Sequence, residues 1–250
     1  MEQRSLLSDR TDQRPGFAGL TRAEIAARLA RPRDAGARGD VATAHALLGR
    51  TDLERFDQDK FGPLPSSGIP YESGAGAPGI KLKRTPAAVL VPLIERQGAA
   101  IGFDVVLTLR PSAMTRHAGQ VAFPGGRMDA GDADVAACAL REAEEEIGLA
   151  RTRVEVLGQL DPYLTITGFE VTPVVGAVTG PVSLSPDSRE VADVFDVPLE
   201  FLLDPANHQR VQRDFNGIKR AYYAVPYQDR YIWGATAGMI LNMYEILSRV

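Results

Sequence analysis

Glu142, Glu145 and Glu146 follow one another at i, i+3 and i+4 in a stretch with helical character. At about 100° per residue these carboxylates share an arc roughly 100° wide, and Glu144 points away from it. Like charges at that spacing repel and weaken an isolated helix. A hard divalent cation reverses the sign of the interaction, since Mg²⁺ or Mn²⁺ takes carboxylate oxygens and completes its shell with water and phosphate. The plain alternative for any Glu-x-x-Glu-Glu is a solvated acidic face. Here the context weighs against it: a Gly125-Gly126 turn lies upstream, Asp132 or Asp134 can cap the helix, Arg141 flanks the acids, and Gly148 suits a left-handed end.

The elements that must position these residues follow from periodicity. Over residues 133–147 Ala136, Ala139, Leu140, Ala143 and Ile147 fall on one stripe, the face expected to be buried, with Cys138 near it as a small core residue. Apolar and β-branched runs predict strands at 87–93, 101–109, 154–160, 170–178 and 193–197. Asn216-Gly217 predicts a hairpin, and 233–247 an amphipathic helix with Trp233 filling the core. Strands, a helix, more strands and a final helix give an α/β or α+β layered domain. Nine of the 18 residues from 62 to 79 are Gly or Pro, too many for a regular element. The chain therefore divides into a helical N-terminal extension (1–61), a linker (62–82) and a main domain (83–250), which is expected to stand on its own. In the extension, Thr21 and Glu24 have the spacing of a capping box, and Ile25 and Leu29 form an i, i+4 apolar pair.

Composition removes several function classes. The 250 residues are 44% hydrophobic and 24% charged, as in ordinary globular proteins. The longest nearly apolar stretch, Ala87 to Ile94, is far short of a membrane span, and no signal-like segment follows Met1. A lone cysteine, Cys138, suits the cytoplasm. A net charge of −4 gives no general hold on nucleic acid. Leu20 to Leu29 has the look of the first helix of a helix-turn-helix, but Arg31-Pro32-Arg33 stands where a recognition helix should begin.

The acidic helix and its glycine turn resemble the Nudix box, G-x5-E-x7-R-E-U-x-E-E-x-G-U, where U is bulky and aliphatic. Arg141, Glu142, Glu145, Glu146, Gly148 and Leu149 match its second half, with Ala143 in place of U. In the first half Asp132 holds the acidic position, and eight residues separate it from Arg141. Upstream, Val106-Leu107-Thr108-Leu109-Arg110, then Gly119, then Phe123-Pro124-Gly125-Gly126 is similar to the signature of the coenzyme A diphosphatase branch. Pro111 and Thr115 depart from that signature, and Arg116 adjoins the position where its second arginine is expected. The tail from Tyr231 to Ala237 looks like the same branch.

This resemblance implies a Nudix fold, a mixed β-sheet sandwiched between helices with the box as loop–helix–loop. It implies Mg²⁺ or Mn²⁺ held by Glu142, Glu145 and Glu146, with one of these three or Glu190 as the general base; Glu190 is an extra acid for metal ligation or base work, or else a solvated loop carboxylate. Arg110, Arg116, Gly125, Gly126 and Arg127 would hold the substrate's phosphates, while Arg141 would tie the box together. The implied substrate is a small nucleoside diphosphate derivative, coenzyme A or an acyl-CoA, cleaved to 3′,5′-ADP and a 4′-phosphopantetheine. A homodimer stays open. The rival readings are a Nudix hydrolase of ADP-ribose or NADH, a Nudix-like nucleotide sensor without turnover, and a DNA-binding protein with a Nudix sensor.

Overall fold

Thr85 to Glu95 is apolar at nearly every position, as a strand covered on both faces must be. In a computed structural model of the chain, residues 17, 20–33, 38–40, 54–55, 84–96, 102–112, 119–215 and 218–249 are described. Their elements run α1 (Arg22–Leu29), β1 (Arg38–Gly39), β2 (Glu54–Arg55), β3 (Thr85–Glu95), β4 (Phe103–Leu109), β5 (Val121–Ala122) and β6 (Gly125–Arg127). Then come α2 (Val135–Ile147), β7 (Val154–Gln159), β8 (Tyr163–Leu164), β9 (Phe169–Val178), β10 (Asp193–Pro198) and α3 (Leu199–Leu202). The chain ends with β11 (Gln209–Phe215), β12 (Ile218–Tyr227), β13 (Arg230–Trp233) and α4 (Ala235–Leu247).

One sheet has the order β1-β8-β9-β3-β4-β10, with β5 on β4, β6 on β3 and β7 on β9. It is mixed: β3 runs parallel to β9 from Thr85↔Phe169 to Ile94↔Val178, and antiparallel to β4 and β6. Side chains alternate between the two faces. Ala88, Leu90, Val106, Val174 and Val178 pack with Cys138, Ala139, Ala143 and Ile147 of α2. On the other face Ala87, Val91, Leu93, Val105, Leu107, Val175 and Ala177 pack with Ile240, Met243 and Ile246 of α4. The sheet is thus sandwiched between helices, as the resemblance implies. A second sheet, β13-β12-β11-β2, grows from the hairpin whose register closes at Phe215↔Ile218, around the Asn216-Gly217 signal. Trp233 departs from expectation. It ends β13 rather than opening a helix, and it lies partly buried with its ring 5.3 Å from that of Tyr222, outside the main core.

The described part of the N-terminal extension belongs to that core. Thr21 caps α1 in a full capping box with Glu24, and Ile25 and Leu29 are buried against the α4 side of the sheet. Burying such side chains contributes about 1.5–3 kcal/mol each. Arginines fasten the segment: Arg22 reaches Glu95 (2.8 Å), Arg33 donates to the Gln159 carbonyl (2.9 Å), and Arg28 donates to the Leu247 carbonyl. Arg38 bridges Asp161 and Glu245. The linker expected at 62–82 lies outside the described residues.

Candidate active site

The site begins at one close approach. Gly126 sits where an added Cβ would stand 2.6 Å from the Glu142 carboxylate, so only glycine leaves room for that acid beside the loop. Gly125 carries φ +153°, and a Cβ there would meet the Ala88 carbonyl at 2.4 Å. With both side chains missing, β6 lies flat on β3 and its backbone faces the last turns of α2. The Gly125 N–H then donates to Glu146 Oε2 at 3.0 Å.

Helix α2 is held to that loop at both ends. Asp134 caps it by accepting from the Ala137 N–H (2.8 Å), and Gly148 ends it at φ 68°. Between them Arg141 is a strut. Its Nε and Nη2 each donate to Asp132 at 2.9 Å, and Nη2 also donates to the Arg127 carbonyl at 3.2 Å. The guanidinium holds the Asp132 carboxyl far below the usual carboxylate range. Nη1 donates to Glu142 and Glu145 at 3.0 Å each. The extra residue between Asp132 and Arg141 leaves this fork–fork pairing intact, so the loop absorbs it.

The three box glutamates do not share one environment. Glu146 is buried, Glu142 half-buried and Glu145 exposed. Burial pushes Glu146 up to about 7, against the Gly125 N–H and the Arg110 charge, while Glu142 and Glu190 push it further. Burial raises Glu142 as well, although Arg141 hydrogen-bonds it, and Glu145 and Glu190 add repulsion. Glu144, on the opposite side, pairs with Arg151 at 2.6 Å. Among the described residues no three His, Cys, Asp or Glu side chains form a finished ion cage. Glu142 and Glu146 are brought together against the glycine turn; Glu145 is turned toward Arg141.

This donor set fits a hard divalent cation. Burial makes two neighbouring carboxylates reluctant to ionise, a cation would offset that cost, and oxygen is the atom such an ion selects.

Two further groups border the acids. Arg110 follows the last residue of β4; its N–H donates to the Gln120 carbonyl (3.0 Å) and its carbonyl accepts from the Gly119 N–H (3.1 Å). Its Nε is buried without a hydrogen-bond partner among the described residues, which is costly unless a ligand completes it. Glu190 lies in the segment between β9 and β10, exposed, with its charge felt by both Glu142 and Glu146. Arg127 is exposed, its guanidinium 5.8 Å over the Phe169 ring. Arg116 lies outside the described residues. Cys138 is fully buried against the Arg127 carbonyl (3.5 Å), and burial pushes its thiol up to about 11, which makes it inert packing.

Sequence reasoning missed Asp187. Its N–H donates to the Glu146 carbonyl (2.9 Å), which ties the Glu190 segment to the acidic helix. Pro186-Asp187-Ser188 is a turn signal that could have revealed it.

A profile of the NUDIX domain matches residues 83–216, more than half of the chain. The chain belongs to the Nudix hydrolase family. It is 41% identical over 162 residues to an uncharacterized Nudix hydrolase NudL of Enterobacter sp. (strain 638), covering 65% of this chain and 82% of that one. The NudL of Citrobacter koseri is 40% identical over 165 residues, covering 66% and 84%. A solved Nudix hydrolase from Alicyclobacillus acidocaldarius is 21% identical with TM-score 0.41, covering 50% and 84%. The protein is accordingly a Nudix hydrolase of a nucleoside diphosphate derivative, from a family that generally uses divalent metals such as Mg²⁺ or Mn²⁺. Among the described residues no helix is long and apolar enough to cross a membrane.

Proposed function

We propose that this Nudix hydrolase cleaves the diphosphate of coenzyme A or an acyl-CoA to 3′,5′-ADP and 4′-phosphopantetheine or its acyl form. The observation that carries the phosphate reading is Arg110, whose buried Nε has no hydrogen-bond partner among the described residues and whose charge acts on the buried Glu146 carboxylate. Its place in Leu107-Thr108-Leu109-Arg110, upstream of Phe123-Pro124-Gly125-Gly126, is what favours CoA among diphosphates.

Glu142, Glu145 and Glu146 would hold Mg²⁺ or Mn²⁺. Such an ion, when bound, supplies Lewis acidity toward the phosphate oxygens and offsets charge developing in the transition state. Arg110 and the backbone at Gly125-Gly126 orient the diphosphate. Glu190, whose exposed carboxylate makes no hydrogen bond among the described residues, takes the proton of the attacking water. The water oxygen bonds to one phosphorus as the bridging P–O bond breaks, and the second phosphate leaves with the bridging oxygen.

CoA differs from its 3′-dephospho form by one dianion, for which Arg110, Arg116 and Arg127 are the nearest cations. A charge-assisted contact is worth on the order of 1.5–3 kcal/mol, about tenfold to a hundredfold in selectivity. CoA should therefore be cleaved at least about tenfold more efficiently than dephospho-CoA, compared as kcat/KM. Equal efficiency would remove the 3′-phosphate contact. Preferred turnover of ADP-ribose or NADH would overturn the CoA reading.

A further inference from the structure

Residues 181–192 form neither helix nor strand, yet they are fastened at defined points. Ser185 N–H donates to the Ile147 carbonyl (2.8 Å), Asp187 N–H to the Glu146 carbonyl (2.9 Å) and Ala192 N–H to the Leu109 carbonyl (2.8 Å). The segment therefore spans from the last turn of the acidic helix to the residue before Arg110, and Glu190 lies between those anchors. The Glu190 side chain is exposed, and no hydrogen bond or ion pair among the described residues holds it.

What holds Glu190 is its backbone, and the hub is Asp187. The Asp187 carbonyl accepts from the N–H groups of Glu190 (2.9 Å) and Val191 (2.8 Å). Its carboxylate accepts from the Arg189 N–H (3.0 Å) and from the Arg189 guanidinium through Nε (3.0 Å) and Nη2 (2.5 Å). Backbone, side chain and turn close on one another around this residue.

We propose that Asp187 is a positioning residue: by locking the turn from Asp187 to Val191 it holds Glu190 over Glu142 and Glu146, where the attacking water must be deprotonated. This rests on the reading of Glu190 as the proton acceptor. Asp187 touches no substrate atom and acts through Glu190 alone.

The test compares full-length wild type, Asp187→Ala, Asp187→Asn, Arg189→Ala, Glu190→Gln and the double variant Asp187→Ala/Glu190→Gln. A misplaced catalytic group costs up to about a hundredfold, so Asp187→Ala should lower kcat about tenfold to a hundredfold. KM should stay within about threefold, because Arg110 and the glycine turn are untouched. Asparagine still accepts from the Arg189 N–H and should restore most of kcat. Arg189→Ala, which keeps the bond from the N–H of residue 189 to the Asp187 carboxylate and loses only the guanidinium, should show a smaller loss of the same kind and serves if Asp187→Ala does not fold. In the Glu190→Gln background Asp187→Ala should cost nothing more. Calorimetric titration with Mn²⁺ alone should give the same affinity for wild type and Asp187→Ala. Independent, multiplying losses in the double variant would overturn the proposal, as would lost Mn²⁺ binding in Asp187→Ala. Full activity in Glu190→Gln would instead sink the reading of Glu190 itself, and the proposal with it.

Discussion

Glu146→Gln should stabilise the metal-free protein at alkaline pH while removing its activity. Glu146 is 5% exposed, and burial lifts its carboxyl from 4.5 to about 7. At 1.36 kcal/mol per tenfold change in proton affinity, that rise corresponds to about 3 kcal/mol. Below pH 4.5 folded and unfolded chains both hold the proton, and the group has no effect. Between 4.5 and 7 the folded chain keeps a proton that the unfolded chain releases, so stability falls as pH rises, and above 7 the loss is complete. Denaturant unfolding of EDTA-treated protein at pH 5 and pH 8 should show wild type losing about 2–3 kcal/mol more than Glu146→Gln between the two. That corresponds to about 4–12 °C in thermal midpoint for a chain of this size. The amide oxygen can still accept from the Gly125 N–H, so the variant keeps its local fold. Mn²⁺ should reverse the order, stabilising wild type at pH 8 and leaving the variant nearly unchanged. Parallel pH dependences in the two metal-free proteins would refute the claim that a desolvated, charge-deficient carboxylate lies at the centre of the site.

Other substitutions separate the parts of the site, read by circular dichroism and steady-state kinetics, and one tests the core beneath α1. Glu142→Gln and Glu145→Gln should each cut kcat by about a hundredfold or more with the fold retained, whereas Glu144→Gln, which loses only a surface pair with Arg151, should change stability by less than about 1 kcal/mol and activity hardly at all. Gly126→Ala should displace the Glu142 carboxylate and lose activity in a folded protein, because its Cβ would lie 2.6 Å from that group. Arg110→Ala should lower kcat/KM by about tenfold to a hundredfold, and lysine should restore only part of it, since a point charge cannot reproduce the guanidinium edge. Ile25→Ala, which empties a fully buried position, should cost about 2–5 kcal/mol in denaturant unfolding, and a chain beginning at Arg84 should be destabilised further.

Much of this site was legible before any coordinates. The i, i+3, i+4 glutamates, Asp134 as one of two possible caps and Gly148 as the helix end follow from helix geometry and charge, and Arg141 as a tie from the resemblance to the Nudix box. The strands β3, β4, β9 and β10 announce themselves by runs rich in apolar and β-branched residues. The inequality among the glutamates does not, because it arises when β6, only three residues long and nearly without side chains, lies against α2 and buries Glu146 while Glu145 stays in water. Periodicity places residues on an arc but cannot say which edge of it another element will cover. The same holds for α1: Ile25 and Leu29 mark an apolar stripe, and only the assembled sheet shows that the partner is this domain's own core. Trp233 was misplaced for a related reason, since an aromatic next to a helix pattern packs equally well at the end of a strand. The Pro186-Asp187-Ser188 turn signal was there to be read, but the bond that ties the turn to the acidic helix, from the Asp187 N–H to the Glu146 carbonyl, joins backbone atoms that carry no sequence signature of each other.

The central claim is tested most directly by incubating CoA with the purified protein and Mg²⁺ or Mn²⁺, and weighing the products by mass spectrometry. The expected result is 3′,5′-ADP and 4′-phosphopantetheine in equal amounts, formed only with the divalent ion and not by Glu146→Gln. Intact CoA under conditions in which the same preparation hydrolyses ADP-ribose or NADH would contradict it.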